Sequence, residues 1–307
     1  MKDSVTIGID VGGSNIAIAL IQAGDYDNAH YTSIPYVYKS SAYELSSYIY
    51  EAVLKLALEN SVSEEQITKI GLAFPGSIDS KKGVVNYAHN LKLYDADIKG
   101  AFNTLAPRTD IGLMNDADAA TLAEHELGAL KGCDSGVLIT LGTGLGGGLI
   151  LGGRQFFGGL KRGIELGHMI IDKSSKQKCS CGNYGCAEVL CNSAYLKAEG
   201  EKHFYTGITA KQVIDLAKSD NKTAYEIFCR YAENLSCVTA SIINLLDIER
   251  LVLSGGISLS GEFLLEALKR ATAEKCFFEM KCEMLLSMLS DKAGALGAAL
   301  YSENHSV

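Results

Sequence analysis

The feature that most constrains this chain is a strand–glycine turn–strand pattern that occurs twice. Residues 5–10 form an apolar stretch that meets Val11-Gly12-Gly13-Ser14-Asn15 and resumes as the apolar residues 16–21. A second copy opens at Gly136: residues 137–141 are apolar, residues 142–148 are glycine-rich, and residues 149–151 are apolar again. Two apolar runs around a glycine turn predict a β-hairpin, not a strand–helix unit. Each hairpin leads into alternating strand and helix signals. The expectation is an α/β fold of two related halves with the boundary near residues 115–120. We assign residues 1–117 to one domain and residues 118–290 to the other; by analogy with duplicated folds, whose chain ends often cross over, the C-terminal helix 291–307 is expected to return to the first.

Within the first half, residues 41–60 carry Leu45, Ile49, Val53 and Leu56 at helical spacing, with Ser41 and Glu44 placed as a capping box. Residues 63–66 begin a short helix in the same way. Residues 70–74 read as a strand ending at the turn dipeptide Pro75-Gly76, and residues 84–87 as another. Residues 111–114 run into Asn115-Asp116, and a helix is expected over 117–130. In the second half, Thr209 and Gln212 form a second capping box ahead of a helix over 209–219. A long helix over 223–246 follows, then a strand over 250–254 closing on Gly255-Gly256. A helix over 261–270, a strand over 283–286 and an Ala/Gly-rich helix over 292–302 complete the reading.

Composition narrows the function classes. A formal charge of −8 argues against nucleic acid as a partner, because nucleic acid selects a basic face. No apolar run reaches the ~18 residues of a membrane span, and the first strand starts too early for a signal peptide. Nine cysteines is an odd count with no secretory signal, which points to a reducing cytoplasm and to metal-bound or buried thiols. Cys133, Cys191, Cys229, Cys237, Cys276 and Cys282 read as small buried hydrophobes.

The remaining three cysteines form the sharpest motif. Glu165-Leu-Gly-His168 is followed by Cys179-x-Cys181-Gly-x-x-Gly-Cys186-x-Glu188. His168, Cys179, Cys181 and Cys186 have the composition of a closed Cys₃His zinc site, and Gly182 and Gly185 let the chain fold back to bring Cys186 to the same ion. Glu165 and Glu188 flank the cluster. With His168 and Asn90 they are polar groups able to ring a polyol.

Both glycine turns are candidate anion sites, because tight glycine turns expose backbone N–H groups. Asp10 ends a strand beside the first turn, where a carboxylate can hold Mg²⁺ through water. Gly142-x-Gly144-x-x-Gly147 matches the dinucleotide fingerprint as text. That fingerprint needs a helix after the loop, and a strand follows here. There is no Walker-type loop. Asp116 has two readings: a base that accepts a hydroxyl proton in phosphoryl transfer, or the cap of the following helix.

Taken in order, I-D-V-G-G-S-N, F-P-G-S-I-D, M-N-D-A-D-A-A, L-G-T-G-L-G-G-G, E-L-G-H, C-x-C-G-x-x-G-C-x-E, V-L-S-G-G and A-G-A-L-G-A-A make the chain resemble the ROK family (repressors, open reading frames and kinases) of sugar kinases. The resemblance implies the actin-like ATPase (ribonuclease H-like) duplicated fold, two α/β domains with a cleft between them. It implies ATP-dependent phosphorylation of a hexose at the 6-hydroxyl, the hexose being glucose or a relative such as N-acetylmannosamine or allose. Asp116 would be the general base, with Asn115 beside it. Glu165, His168 and Glu188 would hold the ring hydroxyls, helped by Gly76 and Asn90. Asp10, Gly12, Gly13, Ser14, Thr143 and Gly144 would hold Mg²⁺ and the ATP phosphates, and Gly255 and Gly256 would flank the adenosine. His168, Cys179, Cys181 and Cys186 would bind structural zinc. A cytoplasmic homodimer with no membrane or nucleic-acid partner completes the expectation.

Three positions depart from the family pattern: Ile164 ahead of Glu165, Asp118 two residues after Asp116, and Tyr94 where relatives often carry Trp. Two rival readings are a sugar-responsive regulator of the same family and a sugar-binding protein without catalysis. The regulators carry a winged helix before the first strand, where only four residues stand here. Intact Asp10, Asp116 and both loops weigh against the second.

Overall fold

The computed structural model describes residues 4–159 and 163–304. The chain divides into two compact units. Unit 1 is Met1–Glu126, Gly158–Gly163 and Asp291–Val307, and unit 2 is Leu127–Phe157 and Ile164–Ser290. The end of the C-terminal segment, residues 305–307, lies outside the described residues.

Unit 1 starts with β1 (Val5–Val11) and β2 (Asn15–Gln22), an antiparallel hairpin, and β3 (His30–Pro35) extends it. Helix α1 (Ala42–Glu59) precedes β4 (Ile67–Phe74), which pairs parallel to β1. A small antiparallel sheet, β5 (Ser77–Asp79), β6 (Val84–Ala88) and β7 (Leu93–Asp97), leads to α2 (Ile98–Leu105). β8 (Asp110–Asn115) then pairs parallel to β4 and runs directly into α3 (Asp116–Leu127). The main sheet order is β3-β2-β1-β4-β8.

Unit 2 repeats this plan. β9 (Ser135–Leu141) and β10 (Leu145–Leu151) form the hairpin, and β11 (Arg154–Phe156) extends it. After the cysteine segment come α4 (Ala187–Leu190), α5 (Ser193–His203), α6 (Ala210–Lys218) and α7 (Lys222–Leu246). β12 (Arg250–Ser254) pairs parallel to β9. α8 (Glu262–Ala273) and β13 (Glu283–Leu286) close the order β11-β10-β9-β12-β13. The two sheets match strand for strand in order and direction. No described helix is long and apolar enough to cross a membrane.

The period-two alternation of β1 sorts its side chains between two helical layers. Ile7 and Ile9 are fully buried in one core cluster with Leu45, Ile49 and Val53 of α1. Gly8 faces the other way, toward the last helix, α9 (Ala293–Asn304). A Cβ on Gly8 would come within 1.9 Å of the Ala295 carbonyl oxygen, and one on Gly71 within 1.8 Å of the Ala298 oxygen. Gly8 and Gly71 thus let the backbone of α9 lie directly on β1 and β4, and Gly297 lets α9 lie on Ala119 of α3. That close approach explains why α9 is apolar all round: both of its sides are covered.

The structure revises several local expectations. Unit 1 extends to Glu126 instead of stopping at residue 117, because α3 continues from β8 and packs under α9. α3 itself ends at Leu127. Ser41 caps α1 by accepting the Glu44 N–H, but Glu44 reaches back to the N–H and hydroxyl of Ser40, so the box is offset by one residue. The Thr209/Gln212 box is present. β3, β5, β7, β11 and α2 had no clear sequence signal. Residues 146–148 are not loop: they lie in β10, paired with residues 138–140. Gly147 is needed there because a Cβ would press on Leu166 and on the Leu138 oxygen. Of the cysteines outside the motif, Cys133, Cys191 and Cys282 are buried, while Cys229, Cys237 and Cys276 are only partly so.

Candidate active site

In unit 1, the sheet topology gathers the polar candidates at the carboxyl ends of the parallel strands β1, β4 and β8, where ligands bind in open α/β sheets. Asp10 lies near the end of β1. Its side chain follows Gly8 to the α9 side, and a Cβ on Gly294 would sit 2.2 Å from its Oδ2. Surrounding protein desolvates this carboxylate, and the Asp116 carboxylate repels it, so its pKa is pushed up to about 7. A divalent cation would relieve both penalties at once, and hard carboxylate oxygens suit Mg²⁺ held through water.

Asn115 and Asp116 divide the work at the start of α3. Asn115 Oδ1 accepts the N–H groups of Ala117 (2.9 Å) and Asp118 (3.2 Å), which makes it the helix cap. Asp116 Oδ1 also accepts the Ala117 N–H at 2.8 Å. The capping duty falls mainly on Asn115. Its Nδ2 donates to the Gly76 carbonyl at 3.1 Å, tying the end of β8 to the turn after β4. That turn needs glycine: Gly76 has φ +89°, and a Cβ there would meet the Tyr87 oxygen at 2.2 Å. Asn90, three residues beyond Tyr87, places its Nδ2 3.6 Å from a Cβ position on Gly13. Asp116, Asn115, Gly76, Asn90, Gly13 and Asp10 therefore form one neighbourhood.

The first glycine turn is closed by the Gly12 N–H donating to the Asn15 oxygen at 2.9 Å. Gly12 thus spends its N–H inside the turn. Gly13 and Ser14 are exposed beyond it. Gly142 closes the second turn in the same way, onto the Gly144 oxygen at 3.1 Å, with Thr143 exposed at its tip. Gly255, at φ +87°, packs against Leu141 at the end of β9, where a Cβ would meet the Leu141 oxygen at 2.5 Å. A Cβ on Gly256 would enter open space.

In unit 2 the motif residues converge. The ligand atoms of His168, Cys179, Cys181 and Cys186 all lie within 4.8 Å of one another. Cys181 and Cys186 Sγ are 3.6 Å apart, and His168 Nδ1 is 3.5 Å from Cys179 Sγ. Tetrahedral zinc with ordinary Zn–S bonds needs S–S edges of about 3.8 Å, so the donor set fits that ion. The turn is built for it. The Gly182 N–H donates to the Cys179 oxygen, and the Cys179 N–H to Asn183. Gly182 and Gly185 have φ +94° and +72°. The Asn183 N–H holds the Cys181 thiol below its ordinary pKa, which favours the thiolate a metal takes. Cys191 stands apart from this cluster, buried, with the Tyr231 hydroxyl donating to its carbonyl.

This geometry assigns the imidazole. Nδ1 faces the sulfurs, and Nε2 points to the Glu165 carboxylate at 3.9 Å. A metal on Nδ1 would fix the proton on Nε2, facing outward. Glu188 Oε1 lies 3.5 Å from the Ser180 hydroxyl and 3.8 Å from Cys179 Sγ, and its Oε2 is 2.9 Å from a Cβ position on Gly144. Glu188 thus sits between the cysteine turn and the second glycine turn.

A family model described as the ROK family matches residues 6–304. The chain belongs to the ROK family. A glucokinase of Thermotoga maritima is 29% identical over 95% of each chain. An N-acetylmannosamine kinase of Haemophilus influenzae is 26% identical over 96% of this chain and 94% of its own. The crystal structure of a ROK hexokinase from Thermus thermophilus superposes with a TM-score of 0.84 at 29% identity, covering 98% of both chains. The fold of this ROK protein is therefore the two-domain actin-like ATPase fold.

Sequence reasoning did not foresee that Gly294 touches Asp10 or that Asn115 is the cap. The A-G-A-L-G-A-A motif was the available signal for the first. Asp10 also yields a stability prediction. Between the ordinary carboxylate range and about pH 7, folded Asp10 keeps a proton that the unfolded chain has released. Stability therefore falls as pH rises through that window and levels above it. Asp10→Asn removes the effect, so in magnesium-free buffer its stability advantage over wild type is expected to grow by about 2 kcal/mol from pH 5 to pH 8. Urea denaturation at both pH values measures this, and an advantage that does not change with pH would show that the carboxylate is not desolvated.

Proposed function

We propose that this ROK protein is an ATP-dependent sugar kinase that phosphorylates a hexose, glucose or a relative such as N-acetylmannosamine or allose, at the 6-hydroxyl. The observation that carries the reading is the pair of carboxylates at the ends of β1 and β8: Asp116, at the start of α3, lies close enough to Asp10 to raise its pKa. Its kinship with sugar kinases along nearly the whole chain supports the same reading.

In this reading Asp116 accepts the proton of the attacking hydroxyl as the γ-phosphoryl of ATP is transferred in line. Asp10 would hold Mg²⁺ through water, and the ion would supply positive charge to offset the phosphate oxygens. Gly13, Ser14, Thr143 and Gly144 offer backbone and hydroxyl donors to those oxygens, and Gly255 and Gly256 leave room for the adenosine. Glu165, Glu188 and His168 Nε2–H hold ring hydroxyls, and Asn90 and Asn115 add amide donors. His168, Cys179, Cys181 and Cys186 would hold a structural zinc, which would fix the spacing of these groups without taking part in transfer.

The test is ADP release over a panel of hexoses, N-acetylhexosamines and ketoses, with ATP and polyphosphate as donors. The expected result is sugar-dependent ADP formation with at least one aldohexose or its 2-acetamido derivative. ADP formation that does not depend on any sugar would overturn the proposal.

A further inference from the structure

Unit 1 carries a group of aromatic rings that the proposed reaction does not use. β6 and β7 pair so that Tyr87 stands opposite Tyr94, and both rings stay about half exposed, at 47% and 59%. His89, exposed between them, stacks on Tyr87 with centroids 5.1 Å apart and planes 29° apart. It meets Tyr94 edge-on at 5.8 Å and 60°, with Nδ1 3.3 Å from the Tyr94 hydroxyl. Three flat rings are thus held in one row at the surface, each fixed by its neighbour.

The row adjoins the acceptor side of the site. The Tyr87 and Ala88 backbone closes on Gly76, whose carbonyl accepts from Asn115, the residue before Asp116. His89 is followed by Asn90, which reaches Gly13. Single exposed aromatics are ordinary, but a clustered row contiguous with a polar site marks a place where a ligand lies. The chemistry of the row favours a sugar. Aromatic faces take the C–H face of a pyranose, while the phenol and imidazole edges offer donors and acceptors to its hydroxyls.

Resting on the kinase reading above, we infer that Tyr87, His89 and Tyr94 form a subsite for a second pyranose ring, joined by a glycosidic bond to the hexose that is phosphorylated. The row sets acceptor size: a disaccharide gains the stacking contact, and a free hexose does not reach it.

The experiment compares kcat/KM for maltose and cellobiose with that for glucose, and reads their ratio. Because both acceptors meet the same enzyme, the ratio is insensitive to general damage. Tyr94→Ala and Tyr87→Ala are each expected to lower the disaccharide-to-glucose ratio about tenfold, the size of one lost stacking contact, while Tyr94→Phe retains it. A ratio unchanged in both alanine variants, or glucose accepted and neither disaccharide accepted, overturns the subsite. If wild type phosphorylates no sugar, the kinase reading fails on its own, and calorimetry decides the subsite. Disaccharide binding that exceeds glucose binding in wild type but not in Tyr94→Ala supports it, and equal binding in wild type overturns it. Phenyl β-glucoside separates the sources of the contact. Binding as tight as cellobiose, lost in Tyr94→Ala, supports a stacking subsite, and an aryl ring preferred over both disaccharides overturns its assignment to a pyranose.

Discussion

Asp116→Asn is expected to lower phosphoryl transfer by about a thousandfold, within the range that one positioned base contributes, while sugar affinity stays within a few-fold of wild type. The substitution is nearly isosteric, and the helix keeps its cap because Asn115 supplies it. It also removes the charge that repels Asp10, so the Asp10 pKa should fall below about 7 but stay raised, because burial, the larger cause, remains. Steady-state kinetics and calorimetry on the same preparation check both parts. A variant that retains a tenth or more of wild-type turnover would show that another group takes the proton. A variant that loses sugar binding in proportion to rate would make Asp116 a binding residue.

Loss of the metal should have the opposite signature. Cys186→Ser, or zinc removal by a strong chelator, is expected to weaken sugar binding by at least about tenfold and to lower the melting temperature of unit 2 by several degrees. Residual kcat at saturating sugar should stay within a few-fold. The reason is geometric. His168 reaches the cluster through Nδ1 and Glu165 through Nε2, and Glu188 rests against Cys179 and Gly144. In the proposed reading the ion would clamp three groups that hold the sugar and would touch none of the reacting atoms. Metal analysis should find one zinc per chain, and a chelated protein with unchanged affinity and melting temperature would contradict this account.

The repeated hairpin made the architecture legible in the sequence, because a glycine turn between two apolar runs admits few folds. The cysteine motif was legible for a similar reason: three thiols and an imidazole at short spacing meet at one point only if the glycines between them turn the chain, and they do. What escaped was long-range. β3, β5, β7 and β11 are short, several of their residues are exposed, and each is held by pairing to a neighbour, which local pattern does not register. Gly146–Gly148 read as loop because glycine is a turn residue, yet they are strand, paired with residues 138–140, and glycine stands at 147 because a Cβ there would meet Leu166 and the Leu138 oxygen. The choice between Asn115 and Asp116 as cap turned on side-chain direction, which spacing cannot supply. The contact of α9 with Asp10 joins residues at opposite ends of the chain, and no local signal reports it.

In the proposed function this ROK protein moves the γ-phosphoryl group of ATP onto a sugar hydroxyl. The most direct measurement follows ³²P from γ-labelled ATP in the presence of Mg²⁺ and the best hexose of the panel. The label is expected in a sugar monophosphate, formed in step with ADP. Label found only in inorganic phosphate, or left in ATP with every sugar of the panel, would contradict it.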